Sequence, residues 1–134
     1  MVIMAIGPTI LCIEDEEEMI ELISLILARH NYNVLGAIGG QAGLDGVRKL
    51  KPDLILLDLM MPKIDGWELL QRVRADPGLQ GIPVIVVTAR ANEIDRVFGL
   101  QIAGVEGYLT KPFGPQELVQ CVERVLQAKA SGAD

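Results

Sequence analysis

The run Leu54-Ile55-Leu56-Leu57 limits the folds open to this chain more than any other feature, because it contains no polar position. Successive side chains of a strand point to opposite faces of a sheet, so this run predicts a strand that is covered on both faces. Strands of this kind occur mainly in parallel sheets with helices packed on each side. Aromatic residues make up only 4% of the sequence, which agrees with a core built from aliphatic side chains.

Short apolar runs and segments with helical spacing alternate along the sequence. The predicted strands cover 9–13, 33–38, 54–57, 84–87 and 107–109. The predicted helices cover 16–29, 40–49, 66–75, 92–102 and 115–128. This alternation predicts an α/β fold, a doubly wound five-stranded parallel sheet flanked by five helices. The length of 134 residues predicts one domain over 1–129, followed by a flexible tail or truncated linker at 130–134.

Charge and composition argue against several classes of protein. The net charge of -6 opposes direct binding to nucleic acid or to an anionic membrane surface. No run reaches the roughly 18 apolar residues of a membrane span, so we expect a cytoplasmic protein. Cys12 and Cys121 lie in apolar or helical patterns and are interpreted as small buried residues without a disulfide. The acidic residues at 16–18 are interpreted as a helix start, where the helix dipole favours carboxylates.

Polar side chains follow four of the five predicted strands, at the point where each strand ends. Glu14 and Asp15 end the first strand, Asp58 follows the third, Thr88 the fourth and Lys111 the fifth. In the strand order 2-1-3-4-5 the second strand lies at one edge, away from the crevice in which such sheets bind ligands. We therefore predict that order, because it brings all five polar groups into one pocket.

The chemistry of this pocket requires positive charge. Three carboxylates about 4 Å apart would repel one another by about 4 kcal/mol per pair at an effective dielectric constant near 20. Lys111 supplies one cation, and oxygen ligands with room for water suit Mg²⁺ as the second. A carboxylate nucleophile, a metal ion, a lysine and a hydroxyl donor are the groups that phosphoryl transfer requires. An aspartyl phosphate is the predicted product.

Five segments together resemble the response-regulator receiver domains of bacterial two-component signalling, and the resemblance covers residues 9 to 128. Each segment alone is a weak signal, but all five occur in the expected order and at the expected strand ends. They are Ile10-Leu11-Cys12-Ile13-Glu14-Asp15-Glu16, Leu54-Ile55-Leu56-Leu57-Asp58-Leu59-Met60-Met61-Pro62, Asp65-Gly66, Val86-Val87-Thr88-Ala89 and Tyr108-Leu109-Thr110-Lys111-Pro112-Phe113.

The resemblance implies a role for each acidic residue of the pocket. Asp58 would be the phosphoacceptor, and Asp15, Asp58 and the backbone carbonyl of Met60 would bind Mg²⁺ directly. Glu14 stands where the family more often has Asp, and it would act mainly through water. Its longer side chain keeps the charge, so we expect metal binding to survive. Because Lys111 follows the fifth strand, we expect its ammonium to approach from the side opposite Glu14 and Asp15.

The resemblance also implies a switch. Thr88 and Lys111 would hold the phosphoryl oxygens, and a cis peptide bond before Pro112 would aim the lysine inward. Tyr108 matches the switch aromatic of the family, which turns inward when the threonine moves toward the phosphoryl group. This movement would remodel the surface formed by the fourth helix, fifth strand and fifth helix.

The partners implied are a sensor histidine kinase or phosphotransfer protein as phosphoryl donor, and an output domain or protein that the sequence does not identify. Arg96 and Glu117 resemble an ion pair of receivers that form phosphorylation-dependent homodimers. Gly107 and Cys121, however, stand where those receivers usually carry an acid and an arginine. Exposed ion pairs contribute only about 0 to 1 kcal/mol each, so the homodimer remains an open alternative.

Two other functions were weighed against this one. A haloacid-dehalogenase-type phosphohydrolase needs a general-acid Asp two residues after the nucleophile, where this chain has Met60. A pseudo-receiver that serves only as an interaction module would lack the acceptor, the lysine or an acid, and none is missing. We therefore expect a domain that catalyses its own phosphorylation and slow dephosphorylation, not an enzyme that turns over an external substrate.

Overall fold

The structure is a computed structural model that describes residues 7–90 and 92–132. Within these residues, five parallel strands form one sheet in the order β2-β1-β3-β4-β5. The strands are β1 (Thr9–Glu14), β2 (Asn33–Ile38), β3 (Leu54–Leu57), β4 (Val84–Thr88) and β5 (Gly107–Thr110). The predicted fold class and strand order are confirmed.

Five helices connect and follow the strands: α1 (Glu17–Ala28), α2 (Gly40–Leu50), α3 (Gly66–Ala75), α4 (Glu93–Val97) and α5 (Pro115–Ala130). The predicted fourth helix is only half α-helical, because α4 passes into a π-helical turn at Phe98–Ile102. Asn92 begins α4, and its side chain accepts a hydrogen bond from the amide of Ile94 at 2.7 Å. Helix α5 extends to Ala130, so its last residue lies in the segment predicted to be a tail.

Each face of the sheet has its own apolar core, because alternate residues of the strands point in opposite directions. On one face, residues such as Leu11 and Ile55 pack in one cluster with α2 and α3. On the other face, Ile10 and Leu56 pack in a second cluster with α1 and α5. All four residues of β3 are buried, as predicted for a strand covered on both sides. Both cysteines are free and buried.

The topology brings the carboxyl ends of β1, β3, β4 and β5 to one edge of the sheet. Ile13 pairs with Leu57, and the amide of Asp58 extends this pairing by donating to the carbonyl of Ile13 at 3.0 Å. On the other side of β3, Leu57 pairs with Val86. The polar residues that follow these strands are thus placed close together. None of the helices within 7–90 and 92–132 is long and apolar enough to cross a membrane.

Candidate functional site

Three polar side chains are buried at this edge of the sheet, although each belongs to a residue type that is usually exposed. Glu14, Asp58 and Thr88 are 1%, 4% and 0% exposed, respectively. Asp58 lies between the sheet and the start of α3, where a Cβ on Gly66 would come within 2.6 Å of the carbonyl oxygen of Asp58. Glycine at position 66 therefore lets α3 begin directly against the segment that carries Asp58.

One ammonium group compensates the two buried carboxylates. Lys111 Nζ donates to Glu14 Oε1 at 3.1 Å and to Glu14 Oε2 at 2.9 Å, and it also lies 3.3 Å from Asp58 Oδ2. The peptide bond between Lys111 and Pro112 is cis, the geometry that the family resemblance implied. Lysine 111 thus contacts both carboxylates, and its closer contacts are with Glu14.

The expectation that Lys111 approaches from the side opposite Glu14 was wrong. Its ammonium binds both oxygens of Glu14. The order β1-β3-β4-β5 separates the first and last of these strands by three strand spacings, roughly 14 Å in all. A lysine from the end of β5 spans most of this distance, and the extra methylene of glutamate covers part of the remainder.

The ionisation of the pocket follows from burial and from this contact. Burial raises the pKa of Glu14 to about 7 from its ordinary 4.5; Lys111 opposes this rise, and the Asp58 carboxylate adds to it. Burial lowers the pKa of Lys111, but the two carboxylates raise it by more, so the net shift is upward. The lysine is therefore held as a cation, while the second negative charge beside it is costly.

The Asp58 carboxylate is fixed at both oxygens. Asp58 Oδ1 accepts a hydrogen bond from the amide of Met60 at 3.1 Å, and Oδ2 faces Lys111. This arrangement orients the carboxylate relative to the segment that follows β3. The predicted role of the Met60 carbonyl as a metal ligand stays a prediction.

The acidic residues offer a fitting donor set for a divalent cation. One carboxylate oxygen from each of Glu14, Asp15 and Glu16 lies within 4.8 Å of the others. With all groups ionised, the carboxylates of Glu14, Asp15 and Asp58 and the ammonium of Lys111 sum to a charge of -2. A divalent ion with hard oxygen ligands would balance this charge. Glu16 was interpreted only as part of a helix start, yet its side chain makes no capping hydrogen bond.

Thr88 and Tyr108 are linked through the backbone of one residue. The amide of Arg90 donates to Thr88 Oγ1 at 3.3 Å, and the hydroxyl of Tyr108 donates to the carbonyl of Arg90 at 2.9 Å. Tyr108 is buried, and a Cβ on Gly99 would lie 3.1 Å from its ring. Arg90 and Gly99 were missed in the sequence, because a backbone contact and a close approach leave no residue-type signal.

The residues considered for a homodimer have partners within the chain. Arg96 lies 3.8 Å from Glu93, and Glu117 accepts a hydrogen bond from the amide of Gly114 at 2.9 Å. Cys121 is buried, and its sulfur would lie 2.9 Å from a Cβ on Gly107. Glycine and cysteine at these positions therefore pack against each other.

Comparison with known proteins gives one consistent family. A family model described as the response regulator receiver domain matches residues 10–123. The chain is 38% identical over 118 residues to the alkaline phosphatase synthesis transcriptional regulatory protein PhoP of Bacillus subtilis, covering 88% of this chain and 48% of that protein. It is 39% identical over 127 residues to the phosphate regulon transcriptional regulatory protein PhoB of Pseudomonas aeruginosa, covering 95% and 55%. The chain thus spans about half the length of these relatives.

A solved structure agrees with the sequence matches. The signal receiver domain of a signal transduction histidine kinase from Syntrophus aciditrophicus superposes with a TM-score of 0.81 at 30% identity, covering 91% of this chain and 92% of that one.

The raised pKa of Glu14 predicts how stability depends on pH. A carboxyl group whose pKa is higher in the folded state stabilises the fold at low pH and loses that contribution as pH rises through the folded value. At 1.36 kcal/mol per pH unit, the difference between 4.5 and about 7 corresponds to about 3 kcal/mol. We expect the unfolding free energy of Glu14→Gln, relative to wild type, to increase by about this amount between pH 4.5 and pH 8.

Urea unfolding in a metal chelator at the two pH values measures this difference. The matched control is Glu18→Gln, an exposed residue of α1, whose difference from wild type should be the same at both pH values. A Glu14→Gln difference that does not change with pH would show that burial does not raise the pKa of Glu14.

Proposed function

The chain belongs to the response regulator receiver domain family, and on that premise we propose that it is a switch activated by phosphorylation of Asp58. The phosphoryl group would come from a sensor histidine kinase or a phosphotransfer protein. The observation that carries the proposal is the position of Asp58, a buried carboxylate at the end of the central strand, fixed by an amide and facing a lysine.

The proposed transfer needs no proton acceptor, because the carboxylate of Asp58 is itself the nucleophile. An oxygen of Asp58 forms a bond to phosphorus, the bond from phosphorus to the donor nitrogen breaks, and the electron pair returns to the donor histidine. Lys111 is placed to neutralise negative charge on the transferred oxygens. The product is an aspartyl phosphate, which water later hydrolyses to restore Asp58.

We propose Mg²⁺ as the cofactor. Asp15, Asp58 and the backbone carbonyl of Met60 would hold it directly, and Glu14 would act through water. The ion would supply the positive charge that three carboxylates and a phosphoryl group require beyond Lys111. The oxygen donors and the charge of -2 at the site support this choice.

The switch would run through Thr88 and Tyr108. A phosphoryl oxygen on Asp58 offers Thr88 a stronger, charge-assisted acceptor than any neutral group does. A shift of Thr88 would change its contact with the Arg90 amide, and Tyr108 bonds to the carbonyl of Arg90. Phosphorylation would thereby alter the surface formed by α4, β5 and α5, which we propose as the output surface.

The wider role of the domain is also a proposal. The relatives are named as transcriptional regulators, and the chain matches about half of each. We propose that residues 1–129 form the receiver domain and act in the cytoplasm on an output domain or protein through the α4-β5-α5 surface. A phosphorylation-dependent homodimer would have to free Arg96 and Glu117 from their contacts within the chain.

Labelling by a small phosphodonor tests the assignment of Asp58. We expect incubation with acetyl phosphate and Mg²⁺ to add the mass of one phosphoryl group, because the carboxylate is a preoriented nucleophile, and we expect Asp58→Asn to abolish this. Intact-mass spectrometry measures the product. The control is Asp45→Asn, an exposed position on α2, which should label like wild type. Labelling of Asp58→Asn at the wild-type level would contradict the proposal.

Mg²⁺ titration tests the assignment of Asp15. We expect Asp15→Ala to lose both Mg²⁺ binding and labelling, because a direct carboxylate ligand disappears. Calorimetry or amide chemical shifts report the binding, with Glu18→Ala as the control for loss of an exposed acid near the site. If Glu14→Ala removed binding and Asp15→Ala left it intact, the two acidic residues would have the opposite roles.

A further inference from the structure

The closest ionic contact in the site joins Lys111 to Glu14, not to the acceptor Asp58. Both carboxylate oxygens of Glu14 lie within 3.1 Å of the ammonium, whereas the nearest oxygen of Asp58 is 3.3 Å away. Glu14 is 1% exposed, and the side chain of Lys111 is 13% exposed. Water therefore competes poorly for either partner, and the contact is a specific one.

The length of the side chain at position 14 makes this contact. Lysine 111 must reach from the end of β5 across β4 and β3 to the end of β1. Shortening glutamate to aspartate would withdraw the carboxylate by about 1.5 Å, the length of one carbon-carbon bond. From the same backbone position, an aspartate would leave the ammonium closer to Asp58 than to position 14.

This contact conflicts with the proposed roles of both residues. Lys111 would serve the phosphoryl group on Asp58, and Glu14 would serve the hydration shell of Mg²⁺. While the Glu14 carboxylate accepts two hydrogen bonds from the ammonium, fewer of its lone pairs are free for water at the metal, and the ammonium is turned away from the acceptor.

We propose that Glu14 is a resting-state latch that holds Lys111 away from the phosphoacceptor, and that Mg²⁺ releases it. This inference rests on the proposed function and concerns its regulation. Mg²⁺ and the ammonium compete for one carboxylate, so binding of the metal weakens the Glu14–Lys111 contact, and by linkage that contact weakens binding of the metal. The lysine becomes available to the phosphoryl group only in the metal-bound domain.

A double-mutant cycle on Mg²⁺ affinity tests the latch. Lys111→Met removes a repelling cation, which strengthens Mg²⁺ binding in any background, and in wild type it also frees Glu14. Glu14→Asp keeps the charge but shortens the reach. We expect Lys111→Met to strengthen Mg²⁺ binding about fivefold more in wild type than in the Glu14→Asp background. Glu18→Asp, the same shortening at an exposed position, should leave the effect of Lys111→Met unchanged.

A second measurement uses the unsubstituted protein, so it does not depend on whether a variant folds. In the metal-free domain, nuclear Overhauser effects should connect the side-chain protons of Lys111 with those of Glu14, and saturating Mg²⁺ should abolish them. Equal effects of Lys111→Met in both backgrounds, or Overhauser contacts that persist in saturating Mg²⁺, would overturn the latch. Both readouts are independent of phosphorylation, so a protein that fails to label at Asp58 would contradict the proposed function and leave the test of the latch intact.

Discussion

Two carboxylates buried beside one ammonium set the conditions for the rest of the site. Glu14 and Asp58 are almost fully removed from water, and a buried charge without a partner is strongly destabilising. Lys111 neutralises only one of the two charges, so the pocket keeps an affinity for further positive charge. The same imbalance raises the pKa of Glu14 and accounts for the fit of a divalent ion. A cation shared between two anions is also a natural element for a switch, because whatever binds one anion redirects the cation to the other.

The sheet exists in the form that this cluster needs. Glu14, Asp58 and Lys111 are far apart in sequence, and they meet because β1, β3, β4 and β5 end at one edge in consecutive order. The purely apolar run of β3 buries the strand that carries Asp58 on both faces, which keeps the acceptor at a rigid position. Thr88 ends β4 between the acceptor and the tyrosine of β5, so the same order places the components of the proposed switch next to one another.

Sequence patterns predicted the strands, their order and the set of polar residues, because buried strands and strand ends leave clear signals in residue type. Side-chain contacts were less accessible. The sequence placed Lys111 at the pocket but put its ammonium on the wrong side of Glu14, since the outcome depends on about one bond length of reach. The link through Arg90 uses only backbone atoms on that residue, and the π-helical turn at Phe98–Ile102 follows from tertiary packing that helical periodicity does not encode.

A crystal structure of the domain with Mg²⁺ and beryllofluoride, a mimic of the phosphoryl group, would test the central claim most directly. The account predicts beryllofluoride on Asp58, with Lys111 Nζ and Thr88 Oγ1 at hydrogen-bonding distances of about 2.7 to 3.2 Å from its fluorines. Lys111 should no longer contact Glu14. A structure in which beryllofluoride binds elsewhere, or in which Lys111 stays on Glu14 while Asp58 is modified, would contradict the account.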